Sequence, residues 1–424
     1  MKKASFYSLF FLLFFVVALC CCNAKNDETP ALAEAKQNAS AQNSEQTQPI
    51  NGEPNVEIAQ AALKTKADDV ARAKAYAPNT DAPNEVDAHE PKLQAEATDG
   101  EPLSEDSLAI THDLSPLSPE QIAVLQNIQA DAPPELLNAI KEEHENQHFL
   151  WSDELHPELY AESIANLGGT YIGIGSDQSY MFIGWQRPSL AFAVDYDPWV
   201  VYVHLAYFAF ISLCDEPECV IEAFGDRDLG KEKLNAFYAD DPRLKDILSV
   251  YQFGQRGIVR RLRGIRNTMN KHKIPSFMND AETYEYIKQL IQSGRLRTFQ
   301  ANLLGQSAFA GIGAACTALQ APVAALYLSN AEQYWAYNAQ FRQNMAALPF
   351  TQNALIMRTA ATKPANRDYR YSVQPAAAFL AWLKHPSAKA VRYITRTVRV
   401  KAPDDFPFTR DEAFPPDDAA QEAP

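Results

Sequence analysis

Thr170-Tyr171-Ile172-Gly173-Ile174-Gly175 is a short apolar run that ends in a Gly-x-Gly turn. Apolar residues at successive positions imply a strand covered on both faces, which is the condition of strands in parallel sheets flanked by helices. The sequence next predicts a helix over 177–185, then an apolar strand over 189–194 ending in Asp195-Tyr196-Asp197. Pro198 opens a further helix that runs through Ile211. The alternation continues downstream, with strands expected over 295–304, 322–328 and 354–358 and a helix over 311–319. Alternating strands and helices specify an α/β fold with a mainly parallel sheet, and such sheets bind ligands at the carboxyl ends of their strands. Here those ends supply Gly173, Gly175, Ser176, Asp177, Asp195, Asp197, Asn302, Ser329, Asn330 and Glu332.

Within this set, Gly173 and Gly175 would let the backbone pass close to a ligand. Asp195 follows Gly175 by 20 residues, the distance at which an acid on the tip of the second strand bonds ribose hydroxyls. The alternative for Asp195 is a carboxylate that caps the helix opened by Pro198. Asp177 has the same two readings one turn earlier. Asn330 and Glu332 either face a substrate or form the turn after a central strand. His204, among Leu205, Tyr207 and Phe208, reads as a core histidine, and Tyr334, Trp335 and Tyr337 read as packing residues.

The run Tyr171-Ile172-Gly173-Ile174-Gly175-Ser176-Asp177-Gln178, with Phe192-Ala193-Val194-Asp195 and Tyr327-Leu328-Ser329-Asn330-Ala331-Glu332-Gln333-Tyr334, resembles an uncharacterised group of bacterial proteins. More broadly, residues 120–360 resemble the methyltransferase-like Rossmann superfamily. The resemblance implies a methyltransferase-like Rossmann domain and S-adenosylmethionine as a cofactor, held by Gly173, Gly175, Asp177, Asp195 and Asn330. The turn departs from that superfamily's pattern: Ser176-Asp177 stands where a third glycine is usual, and Thr170 rather than an acid begins the strand.

The amino-terminal end has a separate character. Lys2 and Lys3 precede an uninterrupted apolar run from Phe10 to Leu19, which meets Cys20, Cys21 and Cys22. The run is shorter than the roughly 20 residues that span a bilayer, so it reads as a signal peptide. Leu19-Cys20-Cys21-Cys22 fits a lipobox, with Cys22 or Cys21 as the lipidated residue; an ordinary cleaved signal peptide is the alternative. Residues 23–115 hold eighteen acidic residues against seven basic ones, −11 of the chain's formal −15, and Tyr76 is their only aromatic. So polar a stretch buries too little apolar surface to offset the entropy of ordering, and is expected to be a disordered tether. The organisation that follows is a signal peptide over 1–22, an acidic linker over 23–115, a helical lead-in over 116–168, the α/β domain over 169–402 and a disordered tail over 403–424. In the lead-in, helices are expected from Pro119, after Pro133-Pro134, and from Pro157 to Leu167.

Beyond the leader, only Cys214, Cys219 and Cys316 remain, and an oxidising compartment would permit a Cys214–Cys219 disulfide. With no Cys-x-x-Cys and no other His/Cys pair at ligand spacing, no metal site is expected. Arg256 through Lys273 carries Arg260, Arg261, Arg263 and Arg266 on one helix, either as a solvated face or as a contact for anionic headgroups or a phosphorylated ligand. Nucleic acid is a poor partner for an exported chain of net charge −15.

Besides a structural lipoprotein that simply occupies the envelope, these features give two functional expectations. One is an exported, lipid-anchored envelope protein whose degenerate methyltransferase-like domain binds an envelope partner or a small molecule. The alternative is an S-adenosylmethionine-dependent methyltransferase of unknown acceptor. Export favours the first, since that cofactor is cytoplasmic, and no catalytic residue is assigned in either.

Overall fold

The computed structural model describes residues 51–52, 114–134, 137, 146–362 and 367–416. The apolar leader with Cys21 and Cys22, nearly all of the acidic segment, and the helix expected after Pro134 lie outside the described residues.

Eight strands form one sheet: β1 (Asn51–Gly52), β2 (Thr170–Ile174), β3 (Leu190–Val194), β4 (Leu296–Phe299), β5 (Val323–Tyr327), β6 (Phe350–Ala361), β7 (Tyr369–Pro375) and β8 (Phe408–Arg410). Their order is β1-β4-β3-β2-β5-β6-β7-β8. Strands β4, β3, β2, β5 and β6 are mutually parallel. β7 runs antiparallel to β6, and β8 lies parallel to β7. Leaving out the two-residue β1, the strands of the domain follow the order third, second, first, fourth, fifth, which is the Rossmann-type doubly wound arrangement. The α/β fold with a mainly parallel sheet is therefore the one the alternation implied.

The sheet is covered on both faces because its strands alternate between two apolar layers. Tyr171, Ala191, Ala193, Ala325 and Tyr327 face one layer. Ile172, Ile174, Phe192, Val194, Leu326 and Leu328 face the other. The second layer is closed by α1 (Pro119–Gln126), α9 (Ala308–Ala318), α10 (Ala339–Ala346) and α11 (Ala376–Lys384).

The first layer is thicker. Between β3 and β4 the chain makes five helices: α4 (Pro198–Leu213), α5 (Pro217–Gly225), α6 (Arg227–Phe237), α7 (Leu244–His272) and α8 (Ala281–Gln292). Every residue of α4 from Val200 to Ile211 is buried, because this helix is apolar around its whole circumference and lies between the sheet and its neighbours. Each such Phe or Leu contributes about 1.5–3 kcal/mol by leaving water. Asp197 opens α4 by accepting from the Trp199 amide at 2.9 Å, with Pro198 preset at the first helical position. α7 has 29 residues and one apolar edge, so its other faces remain free for Arg256, Arg260 and Arg263. Among the described residues no helix is long and apolar enough to cross a membrane.

Several boundaries differ from the sequence reading. The strand expected over 295–304 stops at Phe299, although Gln300 still bridges to Asp195, and the one expected over 354–358 extends over Phe350–Ala361. The helix expected from Pro157 to Leu167 is a 3-10 turn, Pro157–Tyr160, followed by the single turn α2 (Ala161–Ile164). α3 (Gln178–Gln186) follows β2. The domain does not end at 402, since Phe408–Arg410 adds a strand to β7, and Asn51–Gly52, within the segment read as linker, pairs with β4. Those strands are too short to carry a recognisable alternation of their own.

Candidate functional site

In the strand order, the chain leaves β2 toward β3 on one side and returns to β5 on the other. The crevice where ligands bind in this topology therefore lies at the carboxyl ends of β2 and β5. Three groups of residues meet there.

The first is the glycine turn. Gly175 has φ +97°, a conformation that side-chain-bearing residues rarely adopt, and a Cβ there would stand 2.5 Å from Gln178 Nε2. Its amide donates to Asp195 Oδ2 at 3.0 Å, while Asp195 Oδ1 accepts from the Asp197 amide at 2.9 Å. Burial pushes the Asp195 carboxyl up to about 7 against the pull of those amides. The Gly175 carbonyl accepts from His204 Nε2 at 2.8 Å, and Tyr180 donates to His204 Nδ1 at 2.9 Å. Both imidazole nitrogens are thus used, and burial lowers the ring's affinity for a second proton to about 4, so His204 is a neutral core histidine. Gly173 has a packing reason to be glycine: a Cβ would strike the ring and hydroxyl of Tyr171, which folds across it to Ser179.

The second group is a strap from the lead-in, residues 152–156, laid over the crevice. The Ser152 amide donates to Asp177 Oδ1 at 2.7 Å. Glu154 Oε1 accepts from Tyr327 at the end of β5, from Ser329 at 3.4 Å and from Thr359 at 3.3 Å. The Leu155 amide donates to Asp368 Oδ1 at 3.2 Å, and the His156 amide to the Tyr371 hydroxyl at 2.8 Å. Arg261, from the middle of α7, locks the strap by donating from Nε to Asp177 Oδ2 at 2.7 Å and from Nη1 to the Glu154 carbonyl at 2.6 Å. Glu154 is 2% exposed, and burial drives its carboxyl up to about 7 despite the hydrogen bond from Tyr327 and the charge of Arg261. Its Oε2 and Arg261 Nη2 are buried without a hydrogen-bond partner among the described residues.

The third group is an aromatic edge. The His148 ring stacks on Trp199 at 3.9 Å and 4°, and Trp199 meets Phe253 edge-on at 5.2 Å. His148 Nδ1 also contacts Asp197 Oδ2 at 2.9 Å, joining this edge to the glycine turn. Phe253 is 64% exposed.

Of the residues singled out from sequence, Gly173, Gly175, Asp177 and Asp195 gather at the carboxyl ends of β2 and β3. Asn330 stands on the turn after β5, where its carbonyl accepts from Gln333 and the residue precedes a 3-10 helix. Glu332 turns away into a buried pair with Arg358 at 2.6 Å and accepts from Tyr337. The basic run on α7 does not act as one face: Arg261 points inward to Asp177 and Arg266 contacts Glu218, while Arg256, Arg260 and Arg263 stay exposed. Cys214 and Cys219 are joined in a disulfide. Glu154 escaped the sequence reading and Arg261 was read only as part of the basic run, since neither sits at a strand end and nothing in their spacing links them to the turn.

The residues present do not suit S-adenosylmethionine. The turn amide is spent on Asp195, and the crevice that would take the ligand holds the Glu154 strap pinned by Arg261.

A family model matches residues 149–409, from the strap to the last strand of the sheet. The chain belongs to the family described as Domain of unknown function (DUF7790). Strap, crevice and the helices between β3 and β4 all fall inside the matched region of this DUF7790 domain. No curated protein matches the chain.

Proposed function

We propose that this DUF7790 protein is an exported envelope protein, anchored to a bacterial membrane through lipid at Cys22 or Cys21, whose degenerate methyltransferase-like domain is a binding module. The observation that carries the reading is the closed pairing of Gly175 with Asp195, under a strap pinned by Arg261. A ligand entering the crevice would have to lift the strap and break the hydrogen bonds that Asp177 and Arg261 make to it, each worth about 1–3 kcal/mol when left unmet. Export is supported by the leader sequence and by a Cys214–Cys219 disulfide, which persists in oxidising compartments. The binding face is the aromatic edge of His148, Trp199 and the exposed Phe253, which offers an apolar surface to an envelope partner or a small-molecule ligand.

The methyltransferase alternative draws its support from Asp195, which occupies the tip of the second strand beside the glycine turn. Calorimetric titration of the detergent-solubilised full chain with S-adenosylmethionine and S-adenosylhomocysteine separates the two. The binding-module reading expects no heat at millimolar ligand. Micromolar binding that disappears in Asp195→Ala overturns it in favour of the enzyme. Anchoring is tested by labelling cells with a fatty-acid analogue: the label is expected on the chain and is lost in the Cys21→Ser/Cys22→Ser variant, and an unlabelled wild type removes the anchor.

A further inference from the structure

His156, Glu158 and His272 are 116 residues apart at their extremes, yet each offers one ligand atom within 4.8 Å of the others. His156 is the last residue of the strap, Glu158 lies on the 3-10 turn that follows, and His272 is the last residue of α7. His156 Nδ1 stands 2.6 Å and His272 Nε2 3.6 Å from Glu158 Oε1. The Glu158 side chain is 5% exposed, and its Oε2 has no hydrogen-bond partner among the described residues. The buried Glu158 carboxylate thus has one oxygen facing two imidazoles and the other without a partner, a costly arrangement that a cation would relieve.

We propose that these three residues bind one divalent cation of the zinc class. Two imidazoles and one carboxylate are the donor set that suits zinc and disfavours calcium or magnesium, which take oxygen ligands. His156 and His272 keep 23% and 36% of their side chains exposed, so the site is open to solvent for entry and for a fourth ligand. The carbonyl end of α7 adds negative potential at His272. The His156 ring is braced against Phe406 at 3.8 Å, and its own amide is tied to Tyr371, so one ligand is already held in place. A cation here joins the end of α7 to the segment that carries Ser152 and Glu154, and so adds a second fastening from the helix whose middle already holds the strap through Arg261. The inference is independent of whether the crevice binds any ligand.

The test is calorimetric titration of chelator-stripped full chain with zinc at pH 7.5, beside His272→Ala and Glu158→Gln, with calcium and magnesium as controls and thermal melting as the second readout. Each variant is compared with its own metal-free melting point, so that a change in baseline stability is separated from the response to zinc. The expected result is one zinc event in the wild type that raises the melting temperature and is lost in both variants, with no response to calcium or magnesium. Zinc held at Cys20–Cys22 would be the same in all three proteins. Wild type and His272→Ala taking up zinc alike, or a wild type that takes up none, overturns the site.

Discussion

Asp195 Oδ2 accepts the Gly175 amide at 3.0 Å, so the acid at the tip of β3 holds the glycine turn at the tip of β2. Its second oxygen holds the Asp197 amide. Asp195→Ala therefore strands one buried and one half-buried donor, and a loss of about 1–3 kcal/mol for each unmet donor is expected in urea denaturation. A variant as stable as the wild type would mean that the carboxylate does not hold the turn.

Two glycines should respond in opposite senses to the same substitution. Gly175→Ala forces a Cβ onto a φ of +97° and to 2.5 Å from Gln178, at an expected cost of about 1–3 kcal/mol. Gly264, in the interior of α7, has nothing within 4 Å of an added Cβ, so Gly264→Ala should stabilise by about 0.5–1 kcal/mol. Equal melting temperatures for the two variants would contradict this contrast.

The sheet was legible because β2, β3 and β5 are buried on both faces and their apolar runs are continuous, with Gly175 and Asp195 marking where β2 and β3 end. The glycine turn and Asp195 were legible for the same reason. The partners that close the site were not. Glu154 lies 173 residues from Tyr327 and Arg261 lies 84 from Asp177, and both arrive on elements whose own patterning reports only a loop and an amphipathic helix. His156 and Glu158 were hidden from a spacing argument because their third partner is at the far end of α7. β7 carries a strand's alternation, Tyr369, Tyr371 and Val373 against Arg370, Ser372 and Gln374, which went unread; both sets are buried, so its polar residues do not mark a solvent face.

Arg261 and Asp177 form an ion pair at 2.7 Å, with 11% and 0% of their side chains exposed. Removing one partner leaves the other buried and uncompensated, so Arg261→Met is expected to cost about 3–5 kcal/mol. Replacing both together, as Arg261→Met with Asp177→Leu, should recover part of that loss, and a double-mutant cycle in urea measures the coupling. Additive losses would show that the pair does not act as a unit.

The Cys214–Cys219 disulfide closes a loop of sequence separation 5 at the end of α4, where Cys214 is fully buried. Constraining so short a loop in the unfolded chain is worth about 2 kcal/mol. Cys214→Ala/Cys219→Ala should lose that amount, and adding a reductant should lower the melting temperature of the wild type while leaving the double variant unchanged. A wild type insensitive to reductant would remove the disulfide from the balance.

Glu154 gives the chain a pH dependence of definite sign. Its carboxyl is raised by burial to about 7 in the folded protein, against about 4.3 when unfolded. Between those values the folded chain keeps a proton that the unfolded chain has released, so stability falls as pH rises through the window, by up to about 1.4 kcal/mol per unit. Asp195, also raised to about 7, acts in the same direction. His204 opposes both: lowered to about 4, it contributes stability above its unfolded value of about 6.5 that is lost as pH falls toward 4. The wild-type profile is a sum of these, but Glu154→Gln removes one carboxyl while keeping the side-chain shape and the partners of Oε1. The free-energy difference between wild type and Glu154→Gln should therefore move steadily in favour of the variant from pH 5 to pH 7. Urea midpoints at half-unit intervals read this directly, and two parallel profiles would mean that Glu154 enters the folded state already ionised, with the strap held by charge rather than by a neutral hydrogen-bonded acid.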